Sequence, residues 1–302
     1  MLRLYKNDSS VCRRDPRLPH GFLQLGGGGE LGGESFAERD RFAGLHLKQA
    51  IILFFAGVIA GTLNAIAGGG SFISFPLMLF TGVPPVEANA SNTVALWPGL
   101  ATSVASYWRH LKVPQRLLVP LVATSMLGGL AGALLLVKTP QRTFLHLIPW
   151  LLLGATLLFI FGNRLRALTG KTEGVSAVED TSWQAIALAG LLQLAVGTYG
   201  GYFGAGIGFV MLGMMTLVGM REIHAMNALR ITLAAVINAV AVVTFIVSGA
   251  VFWGQCLVMM AGALTGGWFG AQYAQKADPR KVRWFIIALG LGLSAYFFVT
   301  AR

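Results

Sequence analysis

Two stretches of glycine and polar residues interrupt long apolar runs of this chain, at residues 61–72 and 197–209. A glycine cluster is costly inside an apolar helix unless the broken backbone is satisfied by protein, water or a ligand. Two such interruptions in corresponding places indicate a transporter's binding site. The candidate ligand-binding residues in these stretches are Asn64, Gly68, Gly69, Gly70, Ser71 and Phe72 in the first, and Thr198, Tyr199, Gly204, Gly206 and Gly208 in the second.

The chemistry that these residues favour is the binding of an anion. A helix that begins after the glycines presents free N–H groups and the positive end of its dipole, which attract an anion without a charged side chain. Glycine also lets a ligand approach the backbone closely. The hydroxyls of Ser71, Thr198 and Tyr199 and the amide of Asn64 can add hydrogen bonds. The alternative is that the glycines only allow close helix packing in a membrane, which is the preferred interpretation for Gly61 or Gly190 taken alone.

A further polar cluster opens the apolar run that follows each stretch. Its candidate residues are Asn89 and Asn92 in the first half and Asn227 and Arg230 in the second. Helical spacing places Asn89 with Thr93, and Asn227 with Arg230, on one helix face, where they could meet the glycine stretches across a shared cavity. Capping of a helix end explains the asparagines equally well.

Arg230 is the one basic residue set within a long apolar run, and such a charge indicates a functional site by default. It lies only about 9 Å into the run at 1.5 Å per residue, so snorkelling to the headgroups and pairing with Glu222 or Glu87 stay open beside substrate contact. No Asp or Glu lies deep in any run. The missing buried carboxylates argue against a proton relay and favour an anionic over a cationic substrate.

The composition requires an integral membrane protein. Of the 302 residues 55% are hydrophobic and only 12% are charged, well below the roughly one quarter charged of a soluble domain. The apolar runs have the length of helical spans. The net charge is +11, but eight of the 23 Lys and Arg residues lie in the tail 1–48 beside six of the twelve acidic residues, and most of the others lie in short loops. Nucleic acid is therefore not an expected partner. The two cysteines show no disulfide or metal-ligand spacing.

No enzyme or cofactor signature is present in the sequence. Metal-ligand spacing, a P-loop and a nucleotide fingerprint are all missing. Ser71 with a distant His146 or His224 offers only a remote hint of an intramembrane serine protease. We therefore expect no catalytic residue, no bound metal and no cofactor.

An internal repeat organises the hydrophobic part of the chain. At an offset of 136 residues Gly61 falls on Gly197, and after one inserted residue Phe72 falls on Phe209. The match is unequal, since Asn64 meets Gly200 and Pro76 has no proline partner. We predict a disordered basic tail at 1–48, a transmembrane repeat at 49–162, a polar linker at 163–182 and a second repeat at 183–302.

The predicted fold is an all-α integral membrane protein, a polytopic helical bundle of two homologous repeats. The apolar runs at 71–82 and 207–219 are too short to cross a hydrocarbon core of about 30 Å. Each is therefore assigned to a glycine-broken helix, which gives eight crossings with both halves in the same orientation. Ten crossings would make the repeats inverted. The basic tail favours a cytoplasmic N-terminus.

Residues from about 50 to 300 resemble the sulfite exporter TauE/SafE family of membrane transporters. The resemblance lies in the duplicated halves, the glycine-rich break with Phe72 and Pro76, and the small-residue polar helix start that follows. It implies a secondary transporter of the cytoplasmic (inner) membrane that exports sulfite, an organosulfonate or a sulfur-containing carboxylate by alternating access. An anion channel that uses the same broken helices is the alternative, and homo-oligomerisation is left open.

Overall fold

The computed structural model describes residues 46–66, 69–107, 111, 113–168, 183–217, 220, 223–273 and 279–300. The tail up to residue 45, Gly68, Glu222 and most of the predicted linker lie outside these residues. Within them the chain forms ten α-helices and no strand. The helices are α1 Leu47–Ile66, α2 Ser71–Phe80, α3 Pro85–Tyr107, α4 Gln115–Lys138, α5 Gln141–Leu168, α6 Trp183–Tyr202, α7 Ile207–Leu217, α8 Ile223–Val247, α9 Trp253–Tyr273 and α10 Pro279–Thr300.

Two short helices, α2 and α7, follow the glycine-rich stretches, as the short apolar runs predict. The interruptions themselves are narrower than the glycine pattern suggests, because α1 continues to Ile66 and α6 to Tyr202. At the second interruption Gly204 and Gly206 have φ angles of +74° and +73°. Only glycine adopts this conformation readily. These two glycines therefore reverse the chain between α6 and α7.

The helix α5 extends further than the sequence predicts. It continues to Leu168, inside the segment 163–182 assigned above to the linker. The residues that prolong it include Arg164, Leu165 and Arg166, and arginine and leucine are good helix formers. The helix therefore covers the first residues of the predicted linker, 163–168.

The helices suit a lipid environment. Three of them, over Leu47–Asn64, Gln115–Lys138 and Ala225–Val247, are long and apolar enough to cross a membrane, judged within the described part of the chain. Large apolar side chains are also exposed along many helices, among them Trp150 and Trp268. A water-soluble monomer rarely exposes so much apolar surface. The exposed faces are therefore consistent with contact to lipid.

Glycines allow two helix pairs to approach with their backbones in contact. A Cβ on Gly61 of α1 would collide with the carbonyl of Ala263 on α9, and one on Gly266 of α9 with the carbonyl of Val58. In the same way, Gly132 of α4 would collide with the carbonyl of Thr198 on α6. Small residues at helix interfaces stabilise membrane proteins through this close packing. Gly61 is therefore a packing residue.

Helices of the group α1–α5 pack mainly on helices of the group α6–α10, so the two groups exchange packing partners. The first helix of each group packs on the fourth helix of the other, α1 on α9 and α6 on α4. The fourth helix of each group also packs on the third of the other, α4 on α8 and α9 on α3. The remaining contacts include α3 with α8 and α5 with α10, which are helices of equal rank. The two groups are thus interleaved rather than side by side.

The adjacent glycines Gly266 and Gly267 provide a test of this packing. A Cβ at Gly266 would overlap the backbone of Val58, whereas a Cβ at Gly267 meets nothing within 4 Å. We expect Gly266→Ala to lower the stability by about 1–3 kcal/mol, as overpacking does. Gly267→Ala should leave it unchanged or slightly raised, because alanine favours helix over glycine. Thermal unfolding of the purified variants in detergent measures both, and equal melting temperatures would contradict the close α1–α9 contact.

Candidate functional site

A cavity of about 90 Å³ lies where the two interruptions meet α3 and α8. One water needs roughly 10–15 Å³ by the same measure, so the cavity has room for a small polyatomic ligand. The helix starts of both α2 and α7 contribute to its wall. The lining residues are Asn64, Ser71, Thr93, Leu96, Trp97, Leu100, Ser103, Tyr107, Phe203, Gly204, Ile207, Gly208, Arg230, Ile231, Ala234 and Asn238.

The first interruption is held by the Asn64 side chain. The backbone N–H of Gly70 donates to Asn64 Oδ1 at 2.9 Å. A Cβ on Gly70 would collide with the carbonyl of Ala60, so only glycine fits this close turn. This bond engages Oδ1, and among the described residues the Nδ2 donors of Asn64 have no hydrogen-bond partner. The next residue, Ser71, is the first residue of α2 and also lines the cavity.

The second interruption is held by Tyr199, whose hydroxyl donates to the carbonyl of Ala205 at 2.7 Å. This bond ties the last turn of α6 to the segment that leads into α7. Gly204, Ile207 and Gly208 then bring the first turn of α7 to the cavity wall. The positive end of the α7 dipole therefore lies at the cavity.

Arg230 reaches the cavity from α8. An ideal Cβ on Gly208 would lie 2.6 Å from Arg230 Nη1, so the guanidinium occupies space that a side chain at position 208 would take. Arg230 Nε is buried and has no hydrogen-bond partner among the described residues. Glu87, one of the pairing candidates, instead accepts a hydrogen bond from Gln141 Nε2 at 2.6 Å. The guanidinium thus lines the cavity and retains an unused donor.

Several donors in the cavity wall are already engaged in hydrogen bonds. Thr93 donates its hydroxyl hydrogen to the carbonyl of Asn89, and Ser103 donates to that of Gly99. Asn238 likewise donates from Nδ2 to the carbonyl of Ala234. The two hydroxyl hydrogens and one of the two Nδ2 hydrogens of Asn238 are thus used within their own helices.

The donors that remain for a ligand therefore concentrate around Asn64, Ser71 and Arg230. The starts of α2 and α7 lie beside them. Arg230 is the only charged side chain among the described lining residues. Cationic and donor groups gathered in one cavity favour an anion, since a helix start and an arginine both stabilise negative charge.

The structure shows which of the sequence-predicted site residues line the cavity. Five of them line the cavity: Asn64, Ser71, Gly204, Gly208 and Arg230. Gly68 lies outside the described residues. The others lie elsewhere than in the cavity wall: Gly69, Gly70, Phe72, Asn89, Asn92, Thr198, Tyr199, Gly206 and Asn227.

Several of the residues outside the wall have packing or positioning contacts. Phe72 is fully buried in the core. Thr198 donates to the carbonyl of Leu194 within α6 and packs by its backbone on α4. Gly206 lies against Ala155 of α5. Asn92 is buried, and its Oδ1 has no hydrogen-bond partner among the described residues.

Among the described residues, side-chain hydrogen bonds of Asn89, Trp97 and Ser91 join the helix α3 to the second half of the chain. Asn89 Nδ2 donates to the carbonyl of Tyr202 at 3.0 Å, and Trp97 Nε1 donates to that of Ala235 at 3.1 Å. Ser91 Oγ accepts from the backbone N–H of Phe252 at 2.8 Å. The polar start of α3 therefore joins helices as well as approaching the cavity.

Sequence reasoning missed most of the wall that α3 and α8 provide. Thr93, Trp97 and Leu100 follow the i, i+4, i+7 spacing of one helix face, and Asn238 lies eight residues after Arg230. The sequence signal for Asn238 is its position deep in an apolar run. No local signal distinguishes Trp97 from a core tryptophan.

The two halves place different residues at matching positions of the wall. At the offset of 137 residues that aligns Phe72 with Phe209, Ser71 matches Gly208 and Thr93 matches Arg230. The first half therefore combines a serine with a threonine, and the second a glycine with an arginine. The absent side chain at position 208 makes room for the long one at position 230.

The described helices have apolar exposed faces and enclose, between two interruptions, a cavity with polar and apolar side chains, which are features of a membrane transport protein. The chain belongs to the sulfite exporter TauE/SafE family, whose sequence profile matches residues 53–297. It is thus a member of a membrane transporter family, as its sequence resemblance implied. No solved structure matches it.

Three relatives cover most of the same region. A probable membrane transporter protein, ORF9, of a Sinorhizobium species is 30% identical over 80% of this chain and 89% of its own length. A probable membrane transporter protein of Haemophilus influenzae is 28% identical over 81% of this chain and 92% of its own. The probable membrane transporter protein YfcA of Escherichia coli is 26% identical over 81% and 87%, respectively.

Proposed function

We propose that this protein is a secondary transporter that exports a small anion, such as sulfite, an organosulfonate or a sulfur-containing carboxylate, across the cytoplasmic membrane by alternating access. The observation that carries the proposal is the position of Arg230, whose guanidinium lines the cavity beside the first turn of α7. Two positive groups placed side by side are unfavourable unless an anion lies between or near them. The family's name supports sulfite or a related anion as the substrate class.

The proposed binding groups are Arg230, Ser71 and Asn64, assisted by the starts of α2 and α7. Each can donate to an oxyanion, and none needs to change its protonation state to do so. The glycines Gly204 and Gly208 keep the second interruption open to the ligand. Of the candidates outside the wall, Asn89 and Tyr199 are proposed to position these elements rather than to touch the substrate.

We further propose that the chain crosses the membrane several times as two repeats, 49–162 and 183–302. The exchange of helix partners between α1–α5 and α6–α10 supports this. In a duplicated transporter the substrate site lies at the interface of the repeats. The lining of the cavity by both interruptions and by α3 and α8 supports such a location.

Counterflow in proteoliposomes tests the transport proposal. Vesicles loaded with unlabelled sulfite should take up radiolabelled sulfite faster than empty vesicles, with a rate that saturates as the outside concentration rises. A carrier with one alternating site requires both properties. A flux that does not saturate, with ohmic conductance in planar bilayers, would instead identify an anion channel.

Asn64→Asp tests the charge preference of the cavity with the first interruption preserved. The carboxylate can still accept the Gly70 N–H bond, but it removes two donors and adds a negative charge. We expect anion affinity to fall by roughly tenfold or more, since a charged hydrogen bond contributes about 1.5–3 kcal/mol. Isothermal titration with sulfite measures the change.

Gln115→Glu is the matched control for Asn64→Asp, because it makes the same amide-to-carboxylate change at an exposed position at the start of α4, outside the cavity wall. The control should bind sulfite nearly as tightly as the unmodified protein. An equal loss of affinity in both variants would show that the effect is general and that Asn64 does not face the substrate.

A further inference from the structure

Much of the cavity wall is apolar, and the proposed anion-binding groups do not explain this. Leu96 and Leu100 come from α3, Phe203 and Ile207 from the second interruption, and Ile231 from α8. Their side chains can neither donate to an oxyanion nor solvate its charge. A bare inorganic anion placed against them would lose hydration without compensation.

Trp97 belongs to this apolar wall because of the way it is anchored. Its indole N–H donates to the carbonyl of Ala235 on α8 at 3.1 Å. That donor is therefore unavailable to a ligand, and the rest of the ring is apolar. Tryptophan combines a large apolar surface with one polar handle, and here the handle fixes the ring at the cavity.

The charge of the cavity is also limited. Arg230 is the only charged side chain among the described lining residues, and one guanidinium balances one negative charge. An amphipathic monoanion fits both surfaces, with its charged group at Arg230, Ser71 and Asn64 and its carbon chain on the apolar wall. The volume of about 90 Å³ restricts this chain to a few atoms.

We propose that the substrate is a short-chain organic monoanion, and that Trp97 is the residue that selects it over a bare inorganic oxyanion. This inference rests on the proposed function, since it names the substrate class of the same site. Two measurable properties are expected. Affinity should depend on the length of the carbon chain, and this dependence should be lost when the Trp97 ring is removed.

Isothermal titration of the purified full-length protein with sulfite, methanesulfonate, ethanesulfonate and propanesulfonate measures the first property. The affinity should rise by up to about fourfold for each added methylene, the increment expected for burying one CH₂ group. The rise should stop once the cavity is filled. Ethanesulfonate should bind more tightly than sulfite.

Trp97→Ala should flatten this series, whereas Trp97→Phe should preserve most of it because an aromatic ring still covers the wall. Trp150→Ala is the matched control, since Trp150 is exposed on α5 and packs on Phe298 rather than on the cavity. If Trp97→Ala does not fold, Leu100→Ser tests the same wall without removing the bond between α3 and α8. The series should flatten in Leu100→Ser as well.

Two results would overturn the inference. One is equal or tighter binding of sulfite than of ethanesulfonate; the other is an unchanged chain-length series in Trp97→Ala or Leu100→Ser. Both leave the anion transporter intact as long as binding still depends on Arg230. If none of the four anions binds, the proposed function fails, and the inference fails with it.

Discussion

Arg230→Gln is expected to lower the affinity for sulfite or ethanesulfonate by roughly tenfold to a hundredfold, because a hydrogen bond to a charged group contributes about 1.5–3 kcal/mol. Glutamine retains part of the length and polarity of arginine but removes the positive charge. Arg230→Lys should have a smaller effect, since it keeps the charge but loses the planar fork that matches an oxyanion. Isothermal titration and counterflow on the same preparations measure binding and transport.

The control for this series is Arg116→Gln, which removes the same charge from an exposed position near the start of α4. It should leave the affinity almost unchanged at moderate salt, where distant charges are screened. Equal affinities for the unmodified protein, Arg230→Lys and Arg230→Gln would exclude Arg230 from the site. Snorkelling to the headgroups would then be the better explanation of its charge.

Gly208→Ala is expected to impair anion binding by about tenfold, as the loss of one charged hydrogen bond would, while the protein stays folded. The added Cβ would lie 2.6 Å from Arg230 Nη1, and the tip of an arginine can move aside more easily than a helix can. The guanidinium would thus leave its position beside the α7 start. Gly208→Leu should abolish transport, because its side chain would fill the space that the ligand needs. Gly99→Ala, whose Cβ meets nothing within 4 Å, is the control.

A double-mutant cycle separates this mechanism from a general disturbance of the site. If Gly208→Ala acts by displacing the Arg230 guanidinium, it should cause little further loss of affinity in an Arg230→Gln background. Mutations that share a partner are non-additive for this reason. Additive losses in the double variant would mean that alanine at position 208 perturbs the ligand or the helix start directly.

The other glycines at the interruptions are less informative targets. At Gly70 the added Cβ would collide with the backbone of Ala60, and at Gly206 any side chain would be strained at a φ of +73°. Gly70→Leu and Gly206→Leu should abolish transport, but they should also destabilise the fold. Gly208 is the position at which binding and folding can be measured apart.

The sequence predicts the positions of the interruptions well, because glycine clusters stand out against long apolar runs. It also predicts that α2 and α7 are short, since length alone excludes a full crossing. The predicted repeat also pairs each polar helix start with an interruption. Asn64, Ser71, Gly204, Gly208 and Arg230, which line one cavity, all belong to these two kinds of segment.

The sequence does not show which helix lies opposite each residue, and residue roles that depend on such contacts cannot be predicted from it. Gly201 belongs to the same cluster as Gly204, yet it is helical and contacts the backbone of Gly129 on α4. Nothing in the local pattern identifies that partner. Trp97 is equally ambiguous, because an aromatic residue in an apolar helix suits a core, a lipid face or a cavity. Only the packing of α3 on α8 assigns it to the cavity.

The hydrogen bonds that join α3 to the second half of the chain determine which substitutions this interface tolerates. Asn89, Ser91 and Trp97 contribute side chains, but their partners are main-chain atoms of Tyr202, Phe252 and Ala235. Substituting those partners leaves their main-chain donor and acceptor groups in place, so the second half can diverge at these positions without breaking the joint. Mutational tolerance at this interface should therefore be one-sided, with the constraint carried by three positions within a nine-residue stretch of α3.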